Sequence, residues 1–292
     1  MSEEMKELIQ DYRQGKITRR GFLRRVAILT GSVAGANALI AGLMEDSATA
    51  QVDPGDPAIL WHNIEFAGKA GPVFGYLARP AAAGKYPGLV LIHANQGLNN
   101  HIRDVARRLA KEGYVTLAPD FLSRRGGTAK VNPKSQGLSD IRELAPWQEV
   151  AEDTDAGFTY LQALSDVRGD RRGLIGFCWG GEMTFSAATK VRGLRAVVVF
   201  YGRSPKPIEL VKQIEAPVMA HYGEKDPGVN QDIPATEEAM KKFNKPYTYK
   251  IYPGAQHGFY SESNPERHHP EAAKEAWAKT LDLFRKRLHG TV

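Results

Sequence analysis

The chain has 292 residues, 42% hydrophobic and 25% charged, with a single cysteine and a formal charge of +6. This is the composition of a globular protein with enough apolar residues for a sizeable core, and one cysteine excludes an internal disulfide. No Lys/Arg run stands among aromatics, so the chain lacks the electrostatic footprint of a nucleic-acid binder.

Much of the positive charge lies at the front, where residues 1–25 hold seven Lys or Arg against four acids. "TRRGFLR" (18–24) precedes a weakly apolar stretch (26–43), and "ATA" follows at 48–50. A charged region, an apolar region and a small-residue site come in that order in a secretory signal. The paired arginines, Arg19 and Arg20, resemble the twin-arginine signal of bacteria. Three glycines with Thr30, Ser32 and Asn37 make the apolar part a poor permanent membrane span. The expectation is therefore an export signal over residues 1–50, cleaved after Ala50. Its partner would be the twin-arginine machinery, its membrane contact would be limited to export, and its destination would be the bacterial periplasm. A basic amphipathic helix is the other reading these residues allow.

Beyond residue 51 the pattern alternates. Residues 59–66 and 72–79 read as a hairpin around "AGKAG". The continuous apolar run at 86–94 predicts a strand buried on both faces. Ile102, Val105, Ala106, Leu109 and Ala110 recur at helical spacing over 100–113, which Gly113 closes. A strand follows at 114–120. Residues 121–146, rich in Gly, Ser, Arg and Lys, read as a loop excursion. Helix is predicted over 146–164, 180–190, 233–244 and 269–288, and strand over 173–177, 194–202, 216–222 and 247–252. Strands alternating with helices predict an α/β protein with a mainly parallel sheet covered on both faces. No Pro/Gly-rich linker divides it, so 51–292 reads as a single domain.

In such a sheet, functional residues gather beyond the C-terminal ends of the strands. Three candidates fall there: Cys178, Asp226 and His257. Cys178 sits in "GFCWGG", with Gly176 and Gly180 flanking it at two positions on either side. A sharp strand-to-helix turn needs such small neighbours, and it presents the side chain beside the N–H groups of the next helix. Taken singly, each residue has an ordinary alternative. Cys178 could be a buried hydrophobe, Asp226 the cap of the turn before Pro227, and His257 a loop histidine. In the order thiol, carboxylate, imidazole they support one another, because a histidine can take the thiol proton and a carboxylate can orient the histidine. His268 and His269 are adjacent and lack a third partner, so no metal is expected. His93 reads as support for the loop it begins, and Glu182 as a surface or helix-dipole residue.

"GFCWGG", "GEKDPGV" and "AQHGF", with "LIHANQGLNNHIRDVARRLAKEGYVTLAPD" upstream, resemble the dienelactone hydrolase family of α/β-hydrolases over residues 58–289. The resemblance implies the α/β-hydrolase fold and hydrolysis of a small-molecule ester or lactone without metal or organic cofactor. It implies Cys178 as nucleophile, His257 as base and Asp226 as its orienter, with a thioester intermediate. The backbone N–H groups of Asn95 and Trp179 would form the oxyanion hole, and the Trp179 ring could line the site.

Two positions depart from the family pattern. Ala94 stands where the family shows a glutamate that partners the resting thiol. Ser261 stands where dienelactone enzymes carry an arginine for the substrate carboxylate. Arg124 and Arg125 are the candidates to supply that charge from elsewhere, a solvated loop being their alternative, and Phe259 is a further candidate substrate contact. Thioesterase or peptidase activity, and a weakly active ligand-binding protein, stand as the other functional readings.

Overall fold

The computed structural model describes residues 51–131 and 138–290, together with Leu8, Arg25, Val26, Ile28 and Leu29. The chain divides into two compact units, Met1–Pro57 and Ala58–Val292. Apart from those isolated positions, the expected export signal lies outside the described residues. No helix among the described residues is long and apolar enough to cross a membrane.

The second unit is built on eight strands in the order β1-β2-β4-β3-β5-β6-β7-β8. They are β1 (Ile59–Gly68), β2 (Gly71–Pro80), β3 (Tyr86–Ile92), β4 (Val115–Pro119), β5 (Val167–Phe177), β6 (Leu194–Phe200), β7 (Val218–Lys225) and β8 (Tyr247–Gln256). The hairpin pairs β1 with β2 in antiparallel register from Ile59↔Pro80 to Gly68↔Gly71, and β2 pairs antiparallel with β4. All other pairings are parallel. The helices are α1 (Asn100–Lys111), α2 (Thr128–Val131), α3 (Leu138–Leu144), α4 (Trp147–Gln162), α5 (Trp179–Ala187), α6 (Pro227–Asn230), α7 (Ile233–Lys242) and α8 (Pro270–Phe284).

Parallel strands must bury both faces, and the sequence meets that demand with continuous apolar runs. Residues 89–92 of β3 and 196–200 of β6 are all buried. Successive strand residues point to opposite faces. Val90 packs near Gly157 of α4, whereas its neighbour Leu89 crowds Gly173 together with Phe284 and Leu288 from the end of the chain. Helices thus cover the sheet on both sides, and each fully buried aliphatic or aromatic side chain stabilises the unit by about 1.5–3 kcal/mol. α1 is the clearest single case. Asn99 caps it by accepting from the Ile102 N–H, and Ile102, Val105, Ala106 and Leu109 are buried where it packs on β2 and β4.

Three expectations need correction. The segment 121–146 is not a loop excursion: it holds a 3₁₀ turn (Ser123–Arg125), α2 and α3, with Ile141 and Ala145 in the core. Its Gly, Ser and Lys content masked short helices that tertiary contacts hold. β5 begins at Val167 rather than 173, pairing Tyr86↔Val167 and Pro87↔Arg168 before an irregularity, after which Gly88 meets Arg172. The charged "RGDRR" hid those residues, because they form the half-buried root of the strand and carry no apolar run. Helical turns at Ile208–Gln213 and α6, both opened by proline, were also missed.

Candidate active site

The turn between β5 and α5 carries Cys178 at φ 58°, ψ −120°, a region costly for any residue with a Cβ. Close packing holds it there. A Cβ on Gly176 would strike Gly180 and Thr184, and one on Gly180 would strike the His93 and Ile92 carbonyls. The Cys178 N–H donates to Phe200 O (3.0 Å), tying the turn to β6, while its carbonyl accepts the first α5 bond from Glu182 N–H (3.1 Å). The side chain is half-buried.

Asp226 leaves β7 and opens α6 through its backbone carbonyl, which accepts from Asn230 N–H (2.9 Å). No side-chain cap forms, so the carboxylate turns elsewhere. His257, the first residue past β8, donates from Nδ1 to Asp226 Oδ2 at 2.5 Å. Its Nε2 lies 3.0 Å from Cys178 Sγ. Burial disfavours a charged imidazole here, but the hydrogen bonds to Asp226 and Cys178, with the charge of both partners, raise His257 to about 10. Thiol, imidazole and carboxylate therefore form one connected chain, drawn from the exits of three parallel strands. Such a chain can move a proton off sulfur and stabilise the imidazolium that results.

The loop after β3 passes the sulfur on its other side, with Asn95 Oδ1 4.0 Å from Cys178 Sγ. Two clamps fix this loop to the exit of β4. His93, fully buried, donates from Nδ1 to Ala94 O (2.8 Å) and accepts the Phe121 N–H at Nε2 (3.1 Å). Those bonds require the neutral ring, and burial lowers its pKa in the same direction. In the second clamp, Thr128 Oγ1 accepts from Leu98 N–H (2.9 Å) and donates to Asp120 Oδ1 (2.9 Å), while Asp120 Oδ2 accepts the Thr128 N–H (2.7 Å).

Several candidates are placed otherwise than expected. The Trp179 ring is 1% exposed and stacks on His93 (centroids 5.4 Å), so it backs the turn instead of lining the site. Phe259 is fully buried against Tyr252 (5.2 Å) and Tyr201 (5.4 Å), which removes it from substrate contact. Arg124 makes a bidentate pair with Asp153 of α4 (2.6 and 2.8 Å), so its charge is consumed there. Arg125 is exposed. Glu182 accepts from Arg142 (2.7 Å) and joins α5 to α3. His269 caps α8 by accepting the Ala272 N–H, and His268 Nδ1 lies 3.2 Å from Phe259 O.

Two features were not found from sequence. Tyr201, at the exit of β6, has φ 38° and places its ring 5.1 Å from that of His257. Burial first, then charge at Cys178, pushes its hydroxyl well above the usual tyrosine range. Its position beyond a strand end was the available signal. The other is buried Arg108 of α1, which donates to Asp104 (2.6 Å), Tyr260 (3.2 Å) and both oxygens of Glu262 (3.1 Å each). This network moors the segment that follows His257, and nothing in the helical repeat of α1 singled Arg108 out.

An eight-stranded, mostly parallel sheet with a strained turn at Cys178 between β5 and α5 defines the α/β-hydrolase fold. Comparison with known proteins narrows this: the chain matches the dienelactone hydrolase family over residues 73–288 and belongs to that family, a hydrolase of dienelactone hydrolase type. A Synechocystis sp. protein provisionally named carboxymethylenebutenolidase is 34% identical over 229 residues, covering 74% of this chain and 92% of its own. A Bradyrhizobium sp. protein provisionally named 2-oxo-3-(5-oxofuran-2-ylidene)propanoate lactonase is 34% identical over 226 residues, 74% of this chain and 90% of its own. A Klebsiella pneumoniae crystal structure, provisionally named dienelactone hydrolase, superposes with a TM-score of 0.71 at 28% identity, covering 78% of this chain and 99% of the other.

Proposed function

We propose that this protein hydrolyses a small ester or lactone by way of a thioester on Cys178. The observation that carries the reading is the chain Cys178 Sγ–His257 Nε2 at 3.0 Å and His257 Nδ1–Asp226 Oδ2 at 2.5 Å. The thiol proton passes to His257 Nε2, and sulfur attacks the substrate carbonyl carbon. The Asn95 and Trp179 N–H groups receive the developing oxyanion; one such donor is worth about 2.7–4 kcal/mol of transition-state stabilisation. As the tetrahedral species collapses, the carbon–oxygen bond breaks and His257 returns its proton to the leaving oxygen. In a lactone that oxygen stays tethered to the acyl group. Water then adds to the thioester while His257 accepts its proton, and carbon–sulfur cleavage releases the acid and restores the thiol. Asp226 stays ionised throughout and holds the histidine in the tautomer that leaves Nε2 facing sulfur.

The test is a panel of esters and lactones run on the wild type and Cys178→Ala together. The expected outcome is turnover by the wild type, a mass adduct on Cys178 at early times, and no turnover by the variant. A Cys178→Ala protein that keeps full activity overturns the reading. A second reading, a ligand-binding protein of low turnover, is favoured by Ala94, which puts no carboxylate where the family places one. Ligand-induced rise of the melting temperature without adduct or release would select it.

The twin-arginine-like front adds a location to the proposal: export to the periplasm and cleavage after Ala50. N-terminal sequencing of exported material is expected to begin at Gln51, and a start well before it would refute this.

A further inference from the structure

The sheet has a charged hollow at the end opposite Cys178. It has a volume of about 830 Å³ and is lined by Arg171, Arg172, Arg192, Arg195, Lys286 and Arg287. The first two sit at the root of β5, Arg195 is the second residue of β6, and the last two lie on the π-helical turn Arg285–His289. Cys178 follows the other end of β5, six residues beyond Arg172, which is roughly 20 Å along an extended strand. The hollow is therefore separate from the catalytic candidates.

Its charge is only partly cancelled. Asp170 and Glu215 are the acids in the lining. Asp170 pairs with Arg171 (3.0 Å) and Glu215 with Arg192 (3.5 Å), while Lys286 pairs with Asp282 outside it (2.9 Å). Among the described residues, no carboxylate pairs with Arg172, Arg195 or Arg287. Arg172 and Arg195 are instead held by neutral acceptors. Arg172 donates to Gly169 O (3.0 Å) and to the Gln162 side chain (2.6 Å), and Arg195 to Asp170 O (3.3 Å). Carbonyl oxygens of this kind fix a guanidinium in place and leave its charge unspent. A guanidinium fork with free N–H groups matches phosphate oxygens in pairs. The lining holds no aromatic ring, so base stacking has no platform and a nucleic-acid strand is disfavoured. The hollow is open to solvent, which suits a hydrated, highly charged ligand.

The geometry points to a binding site for a phosphate-bearing polyanion at the N-terminal ends of β5 and β6. This site does not depend on the hydrolase mechanism proposed above, and either can fail without the other.

The experiment titrates the full chain with inorganic tripolyphosphate by calorimetry at two salt concentrations, beside vesicles of phosphatidylglycerol. Arg195→Gln/Arg287→Gln alters two exposed side chains of the hollow. Lys241→Gln/Lys242→Gln on α7 removes the same charge from an exposed pair outside the lining. The expected result is saturable tripolyphosphate binding that weakens with salt. It falls about tenfold or more in the arginine variant, the equivalent of one lost charge-assisted contact, and holds in the lysine variant. Circular dichroism establishes that both variants fold. Equal losses in the two variants overturn the proposal, since bulk charge would then explain binding. Binding to vesicles without tripolyphosphate binding overturns it in favour of a membrane surface, and no binding to either removes it.

Discussion

Asn95 Oδ1 stands 4.0 Å from Cys178 Sγ, on the loop position directly after Ala94. An amide there can orient a thiol but cannot take its proton, and alanine can do neither. In the proposed mechanism, thiolate formation therefore falls to His257. Ala94→Glu is expected to raise turnover, because a carboxylate restored beside the sulfur gives the resting thiol a second partner. Steady-state rates on the best ester decide it, and equal or lower rates count against the idea.

Thr128 stands behind the same loop. Removing its hydroxyl leaves the Leu98 N–H without its acceptor and frees the segment that carries Asn95. Thr128→Val is expected to lower kcat about 10- to 100-fold with little change in KM, as small misplacements of reacting groups do. Thr128→Ser, which keeps the oxygen, is expected to restore most of it. Equal losses in both variants would make the role one of packing alone.

Arg108 carries a different load. Its partners Asp104 and Glu262 are both acidic, and Asp104 is almost wholly buried. Arg108→Met removes their principal cation, leaving Asp104 with Arg107 at 3.5 Å and Glu262 with His101 at 3.9 Å, and is expected to destabilise the protein by about 3 kcal/mol in urea unfolding. Because the network moors the segment after His257, activity is expected to fall before global unfolding as urea rises. Coincident loss of activity and fold would separate Arg108 from the site.

Two histidines set opposite limits on pH. His221, fully buried between Tyr252 and Thr280, is depressed by burial to about 3. A depressed histidine contributes stability above its unfolded value of 6.5, and that contribution drains away as pH falls toward 3. His257, raised to about 10, contributes below 6.5 and loses that contribution as pH rises toward 10. Denaturation midpoints across pH are expected to show an acid slope that His221→Gln flattens and an alkaline slope that His257→Gln flattens. A slope unchanged in its own variant refutes that assignment.

The strand exits were legible because their signals are local. An apolar run ending in glycine and a small residue marks the turn at Cys178, and three parallel strand exits at one end of the sheet bring Cys178, Asp226 and His257 together. The corrections share one cause, which is contact between distant segments. Arg124 reads as a free cation until α4 brings Asp153 to it. Phe259 follows the histidine in sequence, yet Tyr201 and Tyr252 enclose it. Helices α2 and α3 are short, four and seven residues, and are held because Ile141, Ala145 and Asp120 have partners elsewhere in the fold. Polar strand residues such as Arg168 and Asp170 carry no apolar alternation, so the root of β5 gave no strand signal.

Trp179 is joined by one peptide bond to Cys178, sealed from solvent and stacked on the His93 imidazole. Of the chain's four tryptophans, Trp179 adjoins the thiol, and the fluorescence lost in a Trp179→Phe variant isolates it as an optical reporter. An indole in that setting emits at short wavelength, and its brightness responds to what happens at the neighbouring sulfur. Acyl transfer to Cys178 should be visible in stopped-flow fluorescence on unlabelled protein, in real time and with substrates that carry no dye.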